Sequence, residues 1–129
     1  KGENTFGSNF YALTSFINRD EYNIWLTSCK VAIFNHKRQQ AFGTVVTLLW
    51  LGVKIFLNKE NPIYLYLKRN NCIVFDIETI IGSSNSNVFD RLEEQHVNIN
   101  KEFLSKEVSK EAVLRKNNEF IDFALNLNN

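Results

Sequence analysis

Four consecutive polar residues, Asn35-His36-Lys37-Arg38, are of types that could bind an anion. They follow the apolar run Val31-Ala32-Ile33-Phe34 and precede an apolar-periodic stretch that ends at Leu51. Where a strand hands over to a helix, the backbone N–H groups of the helix start are left without partners. The helix dipole favours an anion at that point, and Lys37 and Arg38 add charged donors suited to a phosphate. The competing reading is a solvated polar turn.

The remaining reactive side chains do not converge in sequence. His36 and His96 are the only histidines, and Cys29 and Cys72 lie far from both. Neither His-x-x-x-His nor Cys-x-x-Cys spacing occurs, so no metal and no cofactor are expected. Nucleophile-elbow, phosphate-loop and dinucleotide-binding glycine patterns are also missing. Glu93 and Glu94 occupy adjacent helix positions, cannot meet at one point and read as a solvated face. The expectation is a binding domain without enzymatic activity.

Composition narrows the partners. At 129 residues with 44% apolar side chains, the chain suits a single domain with a core of its own. Its net charge of +1, from 15 basic and 14 acidic residues, does not favour nucleic acid, because gripping phosphates needs a basic excess. The longest apolar run, Val45 to Val53, is broken by Thr47 and Gly52 and falls short of a membrane span. Two cysteines make no disulfide framework, and the absence of a signal peptide fits a reducing compartment. A chain without methionine reads as a piece of a longer protein.

These residues must be positioned by the surrounding elements. Residues 1–8 read as a disordered lead-in, and residues 9–18 as a helix capped by Ser8 or Asn9, with Phe10, Leu13, Phe16 and Ile17 on one face. A polar break at 19–23 precedes Ile24, Trp25 and Leu26, which lead into the strand Val31–Phe34. A helix over 37–51 is predicted to bury Phe42, Val45, Val46 and Leu49, spaced i, i+3, i+4 and i+7. Gly52 falls where a left-handed C-cap belongs. The alternation in Val53–Leu57 suggests a strand near a sheet edge, and the apolar run Ile63–Leu67 a strand covered on both faces. Residues 72–81 are β-branched and interrupted by Asp76 and Glu78; whether they join the sheet is left open. A helix over 88–95, a fourth strand at His96–Ile99, a helix from Asn100 and a helical tail over 117–129 complete the reading.

Residues 30–116, with the Leu51-Gly52-Val53 step and the segment His96 to Leu104, resemble a BRCT domain. Phe103 stands where that family usually has a tryptophan. The helix at 9–18 resembles the extra N-terminal helix of the helix-BRCT variety. The resemblance implies an α/β, three-layer fold with a four-stranded, mostly parallel sheet flanked by helices. It further implies a nuclear domain of a heterochromatin-silencing protein that docks short partner peptides, phosphorylated or not. The peptide and phosphate would meet Asn35, His36, Lys37 and Arg38, with Asn87 and Arg91 contributed by the second helix. Alternatives are the regulatory subunit of an S-phase kinase, a DNA-binding module of the same family, and a dimerisation domain built on the apolar tail.

Overall fold

The computed structural model describes residues 1–127. Its strands are β1 (Val31–Phe34), β2 (Lys54–Leu57) and β3 (Phe75–Asp76). Its helices are α1 (Gly2–Phe6), α2 (Arg19–Ser28), α3 (Phe42–Trp50), α4 (Pro62–Arg69), α5 (Glu78–Ile81), α6 (Glu94–Glu107) and α7 (Lys110–Leu127). Short 3-10 turns occupy Gly7–Asn9 and Ser86–Phe89.

The strands form one parallel sheet in the order β1-β2-β3. Parallel neighbours need a long crossover, and α3 and α4 provide one each. β2 pairs Val31↔Lys54 through Phe34↔Leu57 on one side, and Phe56↔Phe75 and Leu57↔Asp76 on the other. Successive strand residues point to opposite faces. Ile55 and Leu57 therefore enter one core with Val45, Leu48 and Leu49 of α3, Ile63 and Leu67 of α4, and Leu104 of α6. Phe56 goes to the other face, almost fully buried, with its ring 5.4 Å from that of Phe75. β2 is thus the central strand and not the edge strand that its alternation suggested.

The expected stripe on α3 is in place, with Val45 and Leu49 fully buried and Phe42 and Val46 packed against them. Gly52 ends the hand-over with φ 78°, and a Cβ there would lie 3.1 Å from a methyl of Val97 on α6. Left-handed backbone and close packing both call for glycine at that position.

The run after Pro62 is a helix, not a strand. Asn61 accepts the Ile63 N–H at 2.8 Å as an N-cap, and Pro62 fills the first turn, where no N–H is needed. Ile63 and Leu67, one turn apart, are buried while Leu65 is half exposed. That pattern has the helical period and removes the need for a strand-to-strand link at 58–62.

His96–Ile99 lies inside α6, so the described residues hold three strands and no fourth. A buried side chain does a strand neighbour's work instead. Asn100 Oδ1 accepts the Ile73 N–H at 2.7 Å, and its Nδ2 donates to the Ile73 carbonyl at 3.1 Å. Those two bonds fasten α6 beside the chain leading into β3, the part of 72–81 that joins the sheet.

The N-terminal region also departs from expectation. Gly2–Phe6, within the expected lead-in, is helical, whereas residues 10–18 contain no helix. Asn18 accepts the Glu21 N–H at 2.9 Å, and Asp20 and Glu21 suit the positive end of the dipole. The expected polar break is therefore the start of α2, and Ile24–Leu26 belong to it. The expected helix at 88–95 is replaced by the 3-10 turn and the first residues of α6. α7 covers most of the expected tail; residues 128 and 129 lie outside the described residues. Of the two thiols, Cys29 is exposed, while Cys72 is buried and held from its ordinary 9.0 up to about 11 by that burial.

Candidate functional site

The helix expected from residue 37 begins only at Phe42, and residues 35–41 form a loop between β1 and α3. Ala41 closes the loop in the left-handed region, with φ 57° and ψ 29°, and offers no side-chain cap to α3. The first-turn N–H groups of α3 therefore have no side-chain cap. Gly43, also in that turn, is exposed, and a Cβ built there would touch nothing within 4 Å.

This loop lies at the carboxyl end of the sheet, where open α/β sheets gather their ligands. The chain segments leaving the three strands are stitched together there. The Asn58 N–H donates to the Phe34 carbonyl at 3.2 Å, and the Ile77 N–H to the Leu57 carbonyl at 3.0 Å. Asn58 Nδ2 also donates to Asn35 Oδ1 at 3.2 Å. Two exposed ion pairs continue the seam, Lys37–Glu60 at 2.8 Å and Lys59–Glu78 at 2.6 Å. The hydrogen bond from Lys59 to Glu78 holds the lysine above its usual value. Exposed pairs of this kind contribute little to stability and can exchange partners when an anion arrives. Arg38 makes no ion pair among the described residues.

Asn61, fully buried, joins the loop to α4. Besides capping α4, its Nδ2 donates to the His36 carbonyl at 2.7 Å and the Arg38 carbonyl at 3.2 Å, and lies 2.9 Å from His36 Nδ1. The His36 ring meets Phe34 edge-on with centroids 5.8 Å apart. Beside this junction opens a cleft of about 300 Å³ lined by Gln39, Phe42, Pro62, Ile63 and Tyr66. Phe42 and Tyr66 stand edge to face across 6.3 Å, so one wall is aromatic and Gln39 contributes the amide.

The structure brings Asn35, His36, Lys37 and Arg38 together in one loop. Asn87 and Arg91 lie elsewhere, lining a cavity of about 460 Å³ with Lys54, Phe75 and His96 over the Phe56 face of the sheet. No hydrogen bond or ion pair among the described residues links the two groups. The sequence did not place Gln39, Phe42, Asn58, Asn61 or Tyr66 at this loop; Phe42 was expected only as a core residue. Asn61-Pro62 carried a signal, since an N-cap residue before proline marks a helix start; the others are united only by the fold.

Residues 1–120 match the family described as 4-alpha-L-fucosyltransferase, glycosyl transferase group 56. The chain belongs to this family. No solved structure matches it. Membership of a glycosyltransferase family indicates an enzyme, and this overturns the BRCT resemblance together with the non-enzymatic reading drawn from it. The peptide partners, the chromatin-silencing setting, and the kinase-subunit and DNA-binding alternatives fall with it. A glycosyltransferase binds a nucleotide-sugar donor and an acceptor instead.

Proposed function

We propose that this chain carries the nucleotide-sugar-binding part of a fucosyltransferase, with the donor diphosphate received at the loop 35–41. Family membership carries the reading, and the anion-ready geometry of the loop supports it. In glycosyl transfer the bond between the sugar and the diphosphate breaks as the acceptor hydroxyl attacks, so charge develops on the leaving phosphate. Arg38, Lys37 released from Glu60, and the uncapped N–H groups of α3 are the donors that would hold that charge. The aromatic cleft beside Gln39 offers a wall for an adjoining ring of the donor.

The test is calorimetric titration with GDP, UDP and dTDP. At least one should bind, more weakly as salt rises. Arg38→Ala should cost about tenfold in affinity, the worth of one exposed charged contact. Arg91→Ala, at the other cavity, should leave binding unchanged. Loss on Arg91→Ala with no effect of Arg38→Ala would move the diphosphate to that cavity and overturn the assignment.

A further inference from the structure

Asn61 contributes more than a helix cap. Its Oδ1 is committed to the Ile63 N–H, so Nδ2 must point at the loop. Nδ2 carries two hydrogens and meets two carbonyl oxygens, of His36 and Arg38, as well as the Nδ1 atom of His36. That Nδ1 also lies 2.9 Å from the Arg38 carbonyl, which can only accept. The opposite nitrogen, Nε2, is buried and has no hydrogen-bond partner.

The two neutral tautomers of His36 satisfy this set unequally. With hydrogen on Nδ1, the ring donates to the Arg38 carbonyl and both Asn61 hydrogens reach carbonyl oxygens, at the cost of an unbonded contact between Nδ2 and Nδ1. With hydrogen on Nε2, Nδ1 gains a bond from Asn61 Nδ2, but its lone pair also faces that of the Arg38 carbonyl across 2.9 Å. A buried N–H would also be left without an acceptor, a rarer situation than an unpaired lone pair.

We infer that Asn61 is a positioning residue that holds His36 in the Nδ1–H tautomer and fixes the loop presenting Lys37, Arg38 and Gln39 to the diphosphate. The second half of this inference rests on the nucleotide reading of the loop; the first does not. Asn61 itself faces the protein interior and would touch no ligand. Its effect passes through the two carbonyls that it holds, one of which accepts the Nδ1–H of His36.

The test uses Asn61→Ser, which retains a good N-cap and removes the amide donors. Asn61→Thr, which also keeps a cap oxygen and loses the amide donors, serves as a second variant in case the serine form does not fold. Long-range proton–nitrogen correlation spectra report the tautomer directly. His96→Gln in both backgrounds leaves His36 as the sole ring signal. The wild type should show protonated Nδ1 and bare Nε2, and the serine variant a shift towards the Nε2–H form favoured by free imidazole. Affinity for whichever of GDP, UDP and dTDP binds the wild type should fall about tenfold, on the scale of one or two lost hydrogen bonds. A folded variant that keeps the Nδ1–H signal overturns the lock. A changed tautomer with unchanged affinity overturns the positioning role. Should none of the three nucleotides bind the wild type, the nucleotide reading fails, and the spectra still decide the lock.

Discussion

Asn100→Leu is expected to destabilise the protein by up to about 2–6 kcal/mol, the cost of stranding two part-buried backbone groups at no more than about 1–3 each. Leucine fills a similar space, so the loss comes from hydrogen bonding rather than from a cavity. The Ile73 N–H and carbonyl both bond to the Asn100 side chain, which is fully buried while Ile73 is partly so. Set against a typical domain stability of about 5–15 kcal/mol, this change alone could leave little of the folded state. Urea unfolding is the measurement, with Asn98→Leu as the control because Asn98 sits exposed on the same helix. Equal midpoints for the two variants would show that Asn100 does not hold α6 to the sheet.

Gly43→Leu should act in opposite directions on stability and on binding. Glycine within a helix costs about 0.7–1 kcal/mol relative to leucine, and the open space at Gly43 lets the larger side chain enter without a clash. Thermal unfolding should therefore occur at the same or a higher temperature. In a helix the Cα–Cβ bond leans towards the N-terminus, which aims the new side chain at the proposed diphosphate position. Displacing the ligand by even a fraction of its contacts should weaken nucleotide binding by about 10- to 100-fold, the scale of an overpacked site. Gly43→Ala should be stabilised at least as much and lose less affinity. A Gly43→Leu variant that is stabilised yet binds as well as the wild type would show that no phosphate approaches this turn.

Sequence reasoning reached the parts of the fold governed by local rules. Val31–Phe34, the α3 stripe and Gly52 were legible because strand composition, helical period and a left-handed cap leave marks within a few residues. Those same marks produced the wrong family. A strand, a helix, a terminating glycine and a second strand describe any βαβ hand-over, so they specify a physical unit and not an ancestry. Tertiary context decided the rest. Ile63–Leu67 is apolar enough for a strand, and only the Asn61 cap with Pro62 tips it to helix. His96–Ile99 is too short for its period to be judged alone, and it becomes helical as part of a 14-residue α6. At the proposed site, residues 35–38 stood out because their charges adjoin in sequence. Asn61 was not, because it meets His36 across 25 positions of chain.

The two thiols make this protein a reporter of its own opening. Cys72 is enclosed in the core and stays protonated well above neutral pH, so an alkylating reagent finds neither access nor thiolate in the closed molecule. Reaction at Cys72 must wait for a structural fluctuation, and its rate counts molecules that have opened around α4 and the entry to β3. Cys29, exposed at the end of α2, reacts meanwhile and calibrates the reagent within the same sample. The ratio of the two labelling rates is a clock, readable by mass without any engineered probe, for how often the sheet's third strand comes away.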